Sequence, residues 1–427
     1  MRPYQPFSFL ASLIILTALA CNLPQQAITT PVPTDTPTPT NTPTPTVTPT
    51  DIPLPAQTTE VAMPTAIPPT STPEPTLPPY QPVGFFVVPQ AGGSIVVYDR
   101  NNQVIAQLSA PGLFGDNPAY THLAGHLSNG TSDLSIAFFS WENNSLMLTN
   151  LGGVSTLRNV ENFYMLAGIP AYPYLAYTQV EYAESALRSS LTAGDFISIS
   201  TAPSVMTVVD TSIYAVRPLA ISHDHGNPLG VYYTTIPYGI GGDIVFEPRR
   251  SLSYLDLATY QSWELLGLGS SPSVFSPDLS WLAFTPVHVG AMSIAPISDL
   301  NNPITLPLLP DSDRGAGAAV FSPDNQYVAW KEGSGWMMSE TPNFHATIRI
   351  ATTSGAITAQ IPDSAIAALV GNPSSISVEP VGWLDAGTLL LEVRGDDWGN
   401  ASLLRVSPDG SGLAFLVSGG FMGFVYP

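Results

Sequence analysis

Positive charge is scarce in this chain. Of its 427 residues one is lysine, Lys331, and eleven are arginine, against 32 acidic residues, for a formal charge of −20. A protein that grips a phosphate polymer releases counterions through a basic stripe, and no such stripe occurs, so nucleic acid is excluded as a partner. Cysteine is scarcer still: Cys21 stands alone, which excludes any disulfide within the chain. No Gly-x-Ser-x-Gly elbow occurs, which excludes the serine-hydrolase domain that accompanies some repeat architectures. The one long apolar run, Phe7 to Ala20, is too short for a comfortable membrane span. Charged residues make up 10% and apolar residues 44%, a balance that suits a β-rich, heavily buried extracellular domain.

Residues 1–20 combine a basic residue, Arg2, with that apolar run and small residues just before Cys21, the pattern of an export signal. Thr17-Ala18-Leu19-Ala20-Cys21 resembles the lipobox of bacterial lipoproteins, with Ala18 where that family usually carries Leu. The resemblance implies that Cys21 is acylated and becomes the new N-terminus, holding the protein to a membrane without spanning it. The alternative is a secreted protein cleaved nearby, with a free thiol.

Residues 21–80 are dominated by Pro and Thr, and no basic residue occurs between Arg2 and Arg100. Such a segment has too little apolar surface to pack, and its prolines favour an extended polyproline II conformation. It reads as a disordered linker or stalk, and the roughly 58 residues from Asn22 to Pro79 at about 3.1 Å each would reach at most about 180 Å.

From residue 81 to 427 a strand recurs about every fifty residues. Its seven copies are Gly84 to Val87, Ser135 to Phe138, Tyr174 to Tyr177, Gly230 to Tyr233, Trp281 to Phe284, Tyr327 to Trp330 and Thr388 to Leu391. Each is followed by a second strand, in the third unit Asp195 to Thr201, and most by a third; a short segment ending in a turn precedes it. Four strands per unit make a propeller blade, so the expected fold is all-β, a seven-bladed β-propeller, or one of six or eight blades if a weak unit is misread. The first unit lacks its innermost strand, and Gly420 to Pro427 forms a remnant without a unit. The two are expected to join and close the ring, hiding sheet edges.

Phe275-Ser276-Pro277-Asp278 and Phe321-Ser322-Pro323-Asp324 precede their strands at a fixed distance, with Pro setting the turn and Ser and Asp able to bond nearby amides. These units resemble TolB-type, WD40-like propeller repeats. Ile221-Ser222-His223-Asp224-His225-Gly226 is a degraded copy, and Val406-Ser407-Pro408-Asp409-Gly410 belongs to an outer hairpin.

In a propeller the turns between second and third strands share one face with the blade-to-blade connections. Glu181 to Gly194, Pro237 to Arg250, Lys331 to His345 and Arg394 to Asn400 fall there, and loops of such length tend to be functional. Eight basic residues map to this face: Arg158, Arg188, Arg217, Arg249, Arg250, Arg314, Lys331 and Arg394. The expected ligand face is built from Arg249, Arg250, Trp336, Arg394 and Trp398, and Trp beside Arg suits a glycan or a peptide. Exposed loops also collect charge for no other reason than solubility, and acidic residues share them.

Six histidines occur, and only His223-Asp224-His225 sets ligand types side by side, at the position of a turn, so a plain hairpin is expected in place of a metal site. No catalytic residue, metal or cofactor is assigned. The sequence thus reads as an extracytoplasmic, membrane-anchored lipoprotein whose propeller binds a glycan, a peptide or an envelope protein. A propeller lyase or hydrolase acting on extracellular polysaccharide is the alternative.

Overall fold

A computed structural model describes residues 80–426 apart from 114–123, 129–132, 170–171, 184–185, 202–203, 211–213, 238–249, 287–289, 311–313, 335–344, 371–376 and 395–400. Cys21, the export signal and the Pro/Thr-rich linker lie outside the described residues. The chain divides into two units, Met1–Thr72 and Pro73–Pro427, and every described residue belongs to the second. No helix among the described residues is long and apolar enough to cross a membrane.

The described residues form seven four-stranded antiparallel sheets, a seven-bladed propeller. Blade two is β4 (Ala124–Ser128), β5 (Asp133–Ser140), β6 (Ser145–Asn150) and β7 (Gly153–Asn159). Blade three is β8 (Phe163–Gly168), β9 (Tyr174–Ala183), β10 (Ala186–Asp195) and β11 (Ser204–Asp210); blade four is β12 (Tyr214–Asp224), β13 (Asn227–Pro237), β14 (Arg250–Asp256) and β15 (Ser262–Leu266). Blade five is β16 (Ser270–Phe275), β17 (Trp281–Pro286), β18 (Ser293–Pro296) and β19 (Ile304–Thr305); blade six is β20 (Arg314–Phe321), β21 (Tyr327–Ser334), β22 (His345–Thr352) and β23 (Ile357–Pro362). Blade seven is β24 (Ser377–Asp385), β25 (Thr388–Arg394), β26 (Ala401–Val406) and β27 (Ala414–Ser418). Blade one joins both ends of the chain, β28 (Gly420–Val425) pairing with β1 (Gly84–Val88), then β2 (Ser94–Asp99) and β3 (Val104–Ser109). The first strands of successive blades are neighbours around the ring, which makes them the wall of a central channel.

All seven recurring tetrads fall in the second strand of their blades. That strand is flanked by strands on both edges and by neighbouring blades on both faces, so its recurring tetrad reads as a mostly apolar run instead of alternating. Every residue of β1 is buried, as are Val328 to Gly333 of β21 and Leu389 to Arg394 of β25. The core lies between blades: Phe86 and Val97 meet Ile136 and Phe138, Ile348 meets Trp383 and Leu389, and Phe85 and Val87 meet Leu390 and Leu403 across the closing seam. At that seam Gly84 pairs with Val425 and Val88 with Gly420, so the expected joining of the two leftovers is observed.

The two Ser-Pro-Asp turns are built alike. Ser276 and Ser322 donate to Asp278 and Asp324 at 2.6 Å and accept the amides of Trp281 and Tyr327 at 2.9 Å. The residues that follow, Leu279 and Asn325, take left-handed backbone at φ 60° and 57°, which closes each hairpin. Val406 to Gly410 lies between β26 and β27, in the outer hairpin as read.

The third blade departs from expectation. Residues 181–194 form a long hairpin, β9 with β10, and not a loop, while the expected second strand Asp195 to Thr201 is helix α1 (Phe196–Thr201). Asp195 decides this: its carboxylate accepts the amides of Ile197 and Ser198 at 2.8 and 2.7 Å, an N-cap that starts a helix where the β-branched residues alone suggested a strand.

Candidate ligand face and the two channel mouths

Antiparallel order gives the ring two faces. Turns between first and second strands lie on one, the hairpin face; turns between second and third strands, with the blade-to-blade connections, lie on the other, the crossover face. Segments 238–249, 335–344 and 395–400 each join a second strand to a third and so belong to the crossover face. Arg249, Trp336 and Trp398 lie in them, outside the described residues. Arg250 opens β14, where its backbone pairs with that of Thr235.

Arg394 is not the loop residue that was expected. It ends β25, is buried, and donates from Nε to Glu392 Oε1 at 2.8 Å. Lys331 is likewise buried inside β21. Arg158, Arg188, Arg217, Arg250 and Arg314 also stand in strands, Arg217 buried in β12. β21 and β25 run on past their expected ends because the charges within them find partners.

Those partners form a ladder through blades six and seven. Lys331 and Glu332 are successive residues of β21, so their side chains point to opposite faces of the blade. Lys331 reaches toward blade seven and pairs with Glu379 of β24 at 3.0 Å. On the opposite side Glu332 pairs through Oε2 with Arg349 of β22, in its own blade, at 2.7 Å, and through Oε1 accepts the amide of Leu309, in the connection from blade five, at 2.6 Å. Arg349 also lies 5.4 Å over the ring of Trp330. In blade seven, Glu392 accepts Arg394 with one oxygen and the Phe421 amide of β28 with the other, at 2.6 Å. Burial pushes the Glu392 carboxyl above the usual carboxylate range, against the pull of Arg394 and the Phe421 amide.

The ladder sets three cations against three carboxylates, so it has no net charge with which to draw an ion. It braces the strand ends from which 335–344 and 395–400 spring. Of its members Glu379 alone is substantially exposed, at 47% of its side chain. Sequence reading missed Glu332, Arg349, Glu379 and Glu392 as a group. The signal was present in Trp330-Lys331-Glu332 and Leu391-Glu392-Val393-Arg394, charges inside runs otherwise fit for burial on both faces.

On the hairpin face the channel mouth is crossed by Tyr80, the first described residue. The β12–β13 hairpin turns through His225 and Gly226 with φ of 49° and 85°, a two-residue loop of the type that matches strand twist. The plain hairpin read for this stretch is thus observed, although it also positions His223. His223 Nδ1 accepts the Gly226 amide at 3.3 Å, so in the neutral ring the proton is on Nε2, which lies 3.3 Å from Tyr80 Oη. The Tyr80 ring stands edge-on to His223 and to Tyr426, and Tyr172, in the β8–β9 turn, packs on His223 at 5.3 Å. Burial, with Tyr172 alongside, pushes the Tyr80 hydroxyl up to about 12. Burial also pulls His223 below its usual value, more than neighbouring Asp224 raises it. Tyr80 and Tyr426 belong to blade one, Tyr172 to blade three and His223 to blade four, so the cluster spans the mouth. Among the described residues no group of three His, Cys, Asp or Glu side chains could hold a metal ion.

No family model and no curated protein matches the chain. Solved structures do. A protein described as TolB from Agrobacterium tumefaciens is 13% identical, over 66% of this chain and 88% of that one, with a TM-score of 0.38. The Cps50 (Swd1) β-propeller domain of Myceliophteria thermophila is 12% identical, over 75% and 93%, at 0.45. The dihydro-heme d1 dehydrogenase NirN is 13% identical, over 80% and 74%, at 0.38. At these identities the likeness is one of fold, and the strand pairing establishes that fold by itself.

Proposed function

We propose that this protein is an extracytoplasmic binding or protein-interaction module, anchored to the bacterial membrane through acylated Cys21 and presenting the crossover face of its propeller to a glycan, a peptide or an envelope protein. One observation carries the reading: the two mouths of the channel differ. The hairpin mouth is crossed by Tyr80 and packed with aromatic rings, whereas the crossover face carries the long connections 238–249, 335–344 and 395–400, two of them rising from a braced ladder of ion pairs. Recognition residues on loops set in a rigid frame are the usual arrangement for binding sites. Arg394 serves in this reading by holding its strand end, and Arg249, Arg250, Trp336 and Trp398 supply the contacts.

The test is a screen of the full chain against glycans and peptidoglycan fragments, repeated with Trp336→Ala and Trp398→Ala. Saturable binding lost in either variant supports the crossover face as the site; binding that survives both removes it. The anchor is tested separately, since Cys21→Ser should move the protein from the membrane fraction to the soluble one.

A further inference from the structure

Outward from Tyr80, an aromatic and apolar track runs along the hairpin face between blades three and four. Tyr172 and His223 form its inner end, against Tyr80. Tyr174, whose amide bonds the Tyr172 carbonyl at 2.8 Å, comes next and lies beside Asp195 and Tyr260. Beyond it stand side chains with large exposed apolar surface: Tyr260 at 56%, Leu229 at 48% and Ile197 at 78% exposure. The backbone ties them together, since Leu257 donates to the Leu229 carbonyl, Tyr260 to the Asp256 carbonyl, and Ile197 to the side chain of Asp195, the strand partner of Tyr174.

We propose that this track is the docking site of the chain's own proline-rich segment, residues 73–79, laid along it as a polyproline II strand. The occupant is set by where that chain ends. Residue 79 is covalently bound to Tyr80, and Tyr80 occupies the inner end of the track. Reach agrees: seven residues at about 3.1 Å each extend about 22 Å, and a four-stranded blade is about 14 Å across at about 4.8 Å per strand spacing. Chemistry agrees as well. Pro73, Pro75, Leu77, Pro78 and Pro79 are apolar, and the four prolines come with φ already restricted. Aromatic-lined grooves accept such segments at low entropic cost. The segment would cover apolar surface that a monomer rarely leaves open, and it would commit the hairpin face to the tether.

The experiment places the photo-crosslinker p-benzoylphenylalanine at Leu77 of the full chain and maps the products of irradiation in dilute solution. The expected product is a crosslink within one molecule to the peptides carrying Leu229 or Tyr260, lost in Leu229→Glu and Tyr260→Glu. Cleavage of the Pro75–Thr76 bond by a proline-specific endoprotease, followed by mass spectrometry, gives a second readout. It should speed up by about fivefold or more in those two surface variants, because cleavage tracks the undocked population. Crosslinks to other blades, crosslinks only between two copies, no crosslink, or equal cleavage in all forms would each overturn the proposal. Glycan binding at the crossover face is measured independently, so failure of one reading leaves the other standing.

Discussion

Glu392 holds the amide of Phe421 at 2.6 Å, so a carboxylate of the last complete blade fastens the strand that closes the ring. The same carboxylate keeps Arg394 paired, and both side chains are buried. Removing one partner of a buried pair costs about 3–5 kcal/mol, because the other charge is left without compensation. Glu392→Ala should therefore lower the urea midpoint by a corresponding amount and raise amide exchange first in Gly420–Val425. A loss below about 1 kcal/mol, within the range of ordinary surface substitutions, would show that the closing strand is held by its ladder bonds alone.

Asp278 ties two blades together. Although burial opposes its ionisation, hydrogen bonds from Ser276, Ser280 and Asn325 hold its carboxyl below the usual carboxylate range, and the Asn325 contact comes from the turn of the next blade at 2.7 Å. A carboxyl depressed in the folded state contributes stability above its unfolded value of 3.8, lost as pH falls through the lower folded value. Asp278→Asn should destabilise the protein at neutral pH and flatten the acid limb of its stability profile below about pH 4. An unchanged acid limb would rule this carboxyl out as a contributor.

Gly226 has no room for a side chain. Its φ is 85°, and a Cβ there would run into the ring of Tyr172. Gly226→Ala should cost about 1–3 kcal/mol, since both the left-handed turn and the packed Tyr172 ring must give way. Thermal unfolding reads the loss, and the Tyr172→Ala background, which removes the obstacle, should shrink it.

His223 titrates with the state of the mouth. Burial lowers its value in the folded protein below 6.5, so the stability linked to it is fully present above 6.5 and declines as pH falls from there toward the lowered folded value. Its imidazole proton signals should show a midpoint below 6.5, and Tyr80→Ala, which opens the mouth to water, should move that midpoint upward. A midpoint at or above 6.5 in the native chain would mean that Tyr80 does not cover the ring.

Much of the architecture is legible in the sequence. The seven tetrads were visible because second strands, buried on both faces, carry the densest apolar sequence. The turns at Ser276 and Ser322 were visible because each depends on residues within six positions of one another. The third blade is not legible in this way, because its β-branched stretch Phe196–Thr201 carries strand propensity and a single carboxylate, Asp195, outweighs it. Charge normally marks exposure, which points Lys331 and Arg394 to loops, a rule that fails when they meet carboxylates inside the sheet.

Local chemistry thus determined the repeat and the hairpin turns, since each follows from periodicity or from residues close in the chain, whereas the strand pairing fixed the blade count at seven and joined the two leftover ends. Tertiary structure alone decided which charges meet and which mouth is covered. Lys331 and Glu379 are 48 residues apart and Tyr80 and His223 are 143 apart, on different blades in both cases. Nothing in the spacing of such residues encodes their contact, because it is the curvature of the closed ring that brings them within hydrogen-bond distance.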